Sequence, residues 1–110
     1  METTKARERR LAFHKQLSDV SGIPSEHLYF QPPSTVKLNY PCIIYKNTGD
    51  WDIKADNLRY AAKTRIQAIV VTRDPDSDIP EKILNGFFYS SADPDYTAEN
   101  LYHHPITIYF

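Results

Sequence analysis

The feature that most constrains this sequence is the stretch from Leu58 to Arg73, whose carboxyl half is apolar on both faces of an extended chain. One face carries Ile66, Ala68 and Val70, and the other carries Ile69 and Val71. Successive side chains of a strand point to opposite sides, so such a strand has to be covered on both. The sequence therefore predicts a central strand over 58–73.

Length and composition indicate one ordinary globular domain over residues 1–110. The chain has 110 residues, of which 41% are hydrophobic and 25% are charged, and this apolar fraction is too high for a disordered tail. No apolar run approaches the roughly 20 residues of a membrane helix, so neither a membrane contact nor a secretory signal is expected. Cys42 is the only cysteine, which excludes an intramolecular disulfide and a cysteine zinc cluster. We expect Cys42 on the inward face of its strand.

The amino-terminal third predicts a helix followed by a short edge strand. A stripe of apolar residues supports a helix from residue 3 to about residue 20: Ala6, Phe13, Leu17 and Val20. Gly22 and Pro24 end it near Ser21. Residues 27–31 favour a short edge strand, because Pro32 and Pro33 cannot continue one.

Alternating residues predict a strand over 37–46, with Leu38, Tyr40, Cys42 and Ile44 on one face. The Asn, Asp and Gly residues of 47–57 predict a long hairpin loop before the central strand. A second helix is predicted over 78–86, capped by Ser77 or Asp78 and ended at Gly86.

The last quarter of the chain is less regular. Residues 87–89 fit either strand or loop, 90–95 predict a turn, 96–101 fit a short strand or a loop, and 106–110 predict a final strand. The complete pattern predicts an α+β fold. We expect a single, mainly antiparallel sheet of about four strands with two helices packed on it, in the order α-β-β-β-α-β.

Candidate chemical sites are few, and each has a simpler structural explanation. His103 and His104 are adjacent, so on an extended chain they point apart and cannot easily bind one metal ion. Asp74, Asp76 and Asp78 lack the glycine and the distal glutamate of a calcium loop, and turn formation explains them better. Nucleotide-binding, phosphate-binding and hydrolase motifs are absent from the sequence. We therefore expect no catalytic residue, no metal, no cofactor and no enzymatic activity, although a small cytoplasmic enzyme remains a rival interpretation.

The first fifteen residues are basic, with five Lys or Arg against Glu2 and Glu8. A basic helix can follow nucleic-acid phosphates, so a small DNA-binding accessory protein is an alternative function. The acidic Glu8 among the arginines is more typical of a solvated helix surface.

Eight tyrosines and one tryptophan exceed what a small core can hold, and such side chains are enriched at protein interfaces. Trp51 stands between two aspartates in the predicted loop, where it can either bind a partner or fold back on its own sheet. The candidate assembly interface is formed by six residues: Asp50, Trp51, Asp52, Asp56, Arg59 and Tyr60.

An ordered series of segments resembles the small tail-terminator, or tail-completion, proteins of long-tailed bacteriophages and prophages. The segments are YFQPP (29–33), YPCIIY (40–45), ADN (55–57), VTRDPDSDIPEKI (71–83) and YTAENLYHHPITIYF (96–110). The similarity covers about residues 25–110 and weakens in the first helix. Another position in the head–tail connector, or neck, is the alternative within the same class.

The resemblance implies a virion structural protein without catalytic residues, made in the bacterial cytoplasm and located at the head–tail joint. It implies a six-fold ring of identical copies that ends growth of the tail tube. The implied partners are further copies, the tail tube protein and the head-completion (stopper) protein. DNA passes only through the lumen. As a separate hypothesis, we expect the acidic balance outside the first helix to line this lumen.

Overall fold

The central strand predicted over 58–73 lies in the middle of a mixed β-sheet. The structure is a computed structural model that describes the backbone of residues 3–55 and 58–110 and the side chains of residues 7–49 and 64–110. Within these residues the elements are α1 (Thr3–Ser21), β1 (Leu28–Phe30), β2 (Cys42–Ala55), β3 (Leu58–Thr72), α2 (Ile79–Gly86), β4 (Ser90–Ala92), β5 (Tyr96–Ala98) and β6 (Leu101–Tyr109). A turn of 3₁₀ helix at Ser25–His27 precedes β1.

The sheet has the strand order β1-β2-β3-β6-β4, and β5 pairs with β6 beside β4. Strand β1 runs parallel to β2, and the other pairs are antiparallel. The α+β class, the edge position of β1 and the central position of β3 are confirmed. The expected number of about four strands is wrong, because the described residues form six and the sheet is mixed.

The two helices pack on one face of the sheet and bury its larger apolar cluster. Phe13 and Leu17 of the predicted stripe are fully buried, as is Ile83 of α2, whereas the side chain of Ala6 lies outside the described part. They cover side chains of β2, β3 and β6: Ile43, Tyr45, Ile66, Ala68, Val70, Ile106 and Ile108. The ring of Phe13 lies 5.3 Å from that of Tyr45 and 5.4 Å from that of Phe87. None of the described helices combines the length and the apolar character that crossing a membrane requires.

The opposite face carries a smaller apolar cluster around Cys42, Val71 and Leu101. Its cover comes in part from residues 31–41, the connector between β1 and β2, whose Leu38 and Tyr40 pack on the cluster. The buried position expected for Cys42 is confirmed, but it lies on the face away from the helices.

The strand predicted over 37–46 begins later than expected, at Cys42. Pro41 precedes it and has no N–H to donate to a strand neighbour. The expected grouping of Leu38, Tyr40, Cys42 and Ile44 is nevertheless confirmed, because all four belong to one cluster. The alternating pattern therefore predicted correctly which side chains share a face, but it placed the start of the strand too early.

The carboxyl-terminal strands are more extensive than the sequence indicates. Residues 90–92 of the predicted turn form β4, 96–98 form β5, and the final strand begins at Leu101 rather than at residue 106. Pro105 is tolerated within β6. Its carbonyl accepts from the N–H of Asp93, and the nitrogen of a strand residue lies on the same side as its carbonyl. The Pro105 nitrogen therefore faces the gap between β4 and β5 and not β3. No hydrogen bond to β3 is lost at this position.

Both helices end as the sequence predicts. Gly22 adopts φ +77° and donates its N–H to the carbonyl of Ser18 at 3.0 Å, which closes α1. At the start of α2, the hydroxyl of Ser77 accepts from the N–H of Ile79 at 3.3 Å, and Pro80 occupies the first turn. The end of α2 at Gly86 faces the side chain of Val20 in α1, and a Cβ built on Gly86 would overlap it.

Gly86→Ala is expected to destabilise the protein by about 1–3 kcal/mol, because the added methyl group forces the two helices apart. Urea unfolding measures this loss. Asn85→Ala, an exposed change one residue earlier, serves as the control and is expected to stay within about 0.5 kcal/mol of wild type. Combining Gly86→Ala with Val20→Ala should recover part of the loss, and an additive double variant would contradict the contact.

Candidate functional site

Five of the six predicted interface residues lie on a two-stranded extension of the sheet, not in a long loop. The loop predicted over 47–57 is wrong, because β2 continues to Ala55 and pairs with β3 from Leu58. Asp50, Trp51 and Asp52 belong to β2, and Arg59 and Tyr60 belong to β3.

Backbone register brings five of the six predicted residues onto this extension. Trp51 pairs with Lys63, and Lys54 pairs with Arg59. Asp56 lies outside the described residues, as do the side chains of the other five. The backbone of these five residues thus lies on one extension. The two roles considered for the Trp51 side chain, binding a partner and folding back on the sheet, stay predictions.

The extension, here called the hairpin arm, consists of residues 50–55 and 58–63. Pairing of β1 with β2 reaches only Tyr45, and pairing of β6 with β3 begins at Arg65, followed by backbone bonds of 2.8 and 3.0 Å between Thr64 and Phe110. Among the residues that the structure describes, the arm's strands pair only with each other. Six extended residues span about 20 Å, in keeping with the long dimension of 49 Å against 29 and 23 Å.

A β-bulge interrupts the pairing of β2 and β3 at the base of the arm. The register of β2 and β3 shifts between Asn47 and Gly49. The Arg65 side chain holds the bulge, donating from Nε to Thr48 Oγ1 at 3.0 Å and from Nη2 to the Thr48 carbonyl at 2.9 Å. Gly49 adopts φ +136°, which a side chain disfavours. Gly49, which suggested a loop, therefore occupies the bulge position that requires a positive φ.

Gly49→Ala is expected to cost roughly 1–3 kcal/mol, through backbone strain alone. The added Cβ meets Arg65 Nη2 at 3.6 Å, an ordinary contact, so crowding does not contribute. Denaturant unfolding checks the value, with the exposed Lys46→Ala as control. An unchanged unfolding midpoint in Gly49→Ala would contradict the assigned backbone conformation.

The basic residues of α1 contact the sheet near the base of the arm. Arg9 Nη1 donates to Thr64 Oγ1 at 3.4 Å, and the guanidinium of Arg10 lies 4.7 Å from the ring centroid of Phe30. Two of the arginines considered for DNA binding thus make contacts within the chain. The basic surface of α1 therefore also helps to pack this helix against the sheet.

A groove lies at the β1–β2 edge, between the connector and β2. This connector groove has a volume of about 630 Å³. Its apolar lining comes from five residues: Pro32, Pro33, Val36, Leu38 and Ile44. Lys46 and Asn47 extend the lining along β2 beyond the end of β1. The groove therefore combines an apolar floor with a polar end.

The opposite edge of the sheet exposes two aromatic side chains, here called the aromatic knob. Phe88 is 89% exposed and Tyr89 is 41% exposed, and their ring centroids lie 4.8 Å apart in an edge-to-face arrangement. Sequence reasoning left 87–89 undecided. The available signal was the run of three consecutive aromatic residues, because successive side chains of an extended segment point to opposite sides. In the structure only Phe87 of the three is buried.

The two adjacent histidines have different neighbours. His103 stacks on Tyr96 with ring centroids 4.7 Å apart. His104 is buried, and its Nδ1 lies 3.1 Å from an Asp95 carboxylate oxygen, whereas its Nε2 is buried without a partner among the described residues. No group of three or more His, Cys, Asp or Glu side chains in the described part of the chain is arranged to hold a metal ion.

The Cys42 thiol is buried, and burial raises its pKa from 9.0 to about 11, because the thiolate loses its solvation. A reactive cysteine requires the opposite shift. Cys42 is therefore a packing residue of the smaller cluster.

Stability is expected to fall as pH rises from 9 to about 11, since over this interval the unfolded chain has released the thiol proton and the folded chain keeps it. The expected loss is about 2 kcal/mol near the upper limit. Denaturant unfolding of wild type and of Cys42→Ala isolates this effect from other titrating groups. A stability difference between the two proteins that stays constant over this interval would contradict it.

The chain matches no protein-family model, no curated protein and no solved structure.

Proposed function

We propose that this protein is a tail terminator of a long-tailed bacteriophage or prophage: a virion structural protein that closes as a ring on the tail tube and ends its growth. The ordered series of segments over residues 25–110 supports the family assignment. The hairpin arm is the structural observation that carries the function. It projects about 20 Å with strand edges that a neighbour can extend by backbone hydrogen bonds.

The arm suits assembly because, among the described residues, its two strands pair only with each other and belong to one long hairpin. The bulge at Gly49 and the bonds from Arg65 to Thr48 lie at the base of this hairpin. Paired strands lose less conformational entropy on binding than an unpaired loop of the same length. Five of the six predicted interface residues lie in this arm, so we assign to it the contact with the tube or the neighbouring copy.

The proposed ring has six copies, and it contacts the tail tube protein on one face and the head-completion protein on the other. Packaged DNA passes through the lumen. The formal net charge of the whole chain is -1, and because its first fifteen residues are basic, acidic side chains outnumber Lys and Arg in the remainder. An acidic lumen would repel passing DNA and keep it from adhering. The protein works in the virion at the head–tail joint, and other neck positions are the alternative within this class.

Deleting the coding sequence from the phage genome that carries it is expected to produce tails of uncontrolled length that do not join filled heads. Electron microscopy of the lysate measures both effects, and a wild-type copy supplied from a plasmid should restore normal virions. Uniform tails joined to filled heads in the deletion strain would contradict the proposal.

The same complementation assay tests the arm. A Trp51→Ala copy is expected to restore fewer infectious particles, since loss of a central aromatic anchor costs about 2 kcal/mol of assembly energy. Leu11→Ala, which alters another large apolar side chain that is 52% exposed, is the matched control and should complement fully. Full complementation by Trp51→Ala would remove this residue from the interface.

A further inference from the structure

We propose that copies of this chain join head to tail, with the aromatic knob of one copy seated in the connector groove of the next. The occupant of the groove is therefore a second copy, and Phe88 is its anchor. This inference rests on the proposed ring and names the contact that closes it.

The knob has the properties of an anchor that is incomplete in a single copy. Phe88 is 89% exposed, whereas the adjacent Phe87 is buried. Its ring meets that of Tyr89 edge to face, an arrangement that aromatic pairs prefer. A single exposed apolar residue needs no explanation, but an oriented aromatic pair at a sheet edge is typical of an interface hot spot.

The groove has the size and lining to receive this side chain. Its volume of about 630 Å³ exceeds that of one aromatic side chain, so the flanking Tyr89 can enter with Phe88. Pro32, Pro33 and Val36 form a wall that comes from the connector, and the two prolines restrict its backbone. A preformed apolar wall binds an aromatic ring without a large ordering cost.

Knob and groove lie at the same level on opposite edges of the sheet. Asn47 of the groove pairs with Ile66, Ile66 pairs with Ile108, and Ile108 pairs with Ser90. Phe88 comes two residues before Ser90. A neighbour placed edge to edge therefore needs little shift along the strands to bring its knob to the groove.

The two edges carry opposite charge. Residues 28–49 contain Lys37 and Lys46 and no acidic residue. Residues 87–101 contain Asp93, Asp95 and Glu99 and no basic residue. Lys37, Lys46, Asp95 and Glu99 are exposed. The groove edge of one copy therefore attracts the knob edge of the next, and this complementarity selects a second copy as the occupant.

Chemical cross-linking tests the contact with the full chain. In a Cys42→Ala background, Ser34→Cys marks the groove and Ser91→Cys marks the knob edge, both at exposed positions that leave Phe88 in place. Two differently tagged single-cysteine variants are mixed and treated with a short bis-maleimide. We expect mixed Ser34→Cys/Ser91→Cys dimers to form and same-variant dimers to be rare. A predominance of same-variant dimers, or no cross-linking, would overturn the inference.

Phe88→Ala in the Ser91→Cys variant is expected to lower the mixed dimer yield at least ten-fold, and Val36→Asp in the Ser34→Cys variant should do the same. Leu11→Ala, another exposed large apolar side chain, is the matched control and should leave the yield unchanged. Unfolding midpoints of all variants establish that they fold. A yield that does not depend on Phe88 would overturn the contact even if dimers form.

The two proposals can fail separately. If the gene deletion produces aberrant tails but mixed cross-links do not form, the terminator function stands and the head-to-tail contact is wrong. If Phe88-dependent cross-links form but virions assemble normally without the protein, the contact stands and the function is wrong.

Discussion

The fold depends on covering both faces of β3. Ile66, Ala68 and Val70 are buried under the helices, and Val71 is buried on the other side with Cys42. A sheet with helices on one face alone would leave the second face exposed to water. The connector supplies part of the missing cover. Because its side chains pack on the second face of the sheet, this segment of eleven residues lies over the sheet and does not form a strand of its own. The connector groove is a consequence of that crossing.

The elements that could be predicted from sequence are those whose signals are local. Helix α1 is marked by its apolar stripe and by Gly22, α2 by Ser77, Pro80 and Gly86, and β3 by its own pattern of apolar residues. Each signal states a requirement that the residue itself imposes, such as a positive φ or a missing N–H. These assignments therefore held without knowledge of the rest of the chain.

The elements that were missed depend on distant partners. Ser90–Ala92 has the composition of a turn and forms a strand only because β6 offers it an edge. Gly49 suggested a loop because the pairing of residues 50–55 with residues 58–64 is not visible in either segment alone. The candidate site has the same limit. Composition alone suggested the interface residues now placed on the arm. The level of the knob relative to the groove, on which the proposed contact depends, is visible only when the register across four strands is known.

Charge at the sheet edges favours one assembly geometry over another. A two-fold contact would bring an edge against itself, placing Asp93, Asp95 and Glu99 opposite their own copies, or Lys37 and Lys46 opposite theirs. Either arrangement repels. Contact between unlike edges attracts, and it leaves the same two edges free at the ends of every growing oligomer. Such a series stops only when its rotation closes it into a ring. Outside the hairpin arm, edge strands of three residues limit how far backbone pairing alone can join copies, so the side chains at these edges decide which neighbour is accepted.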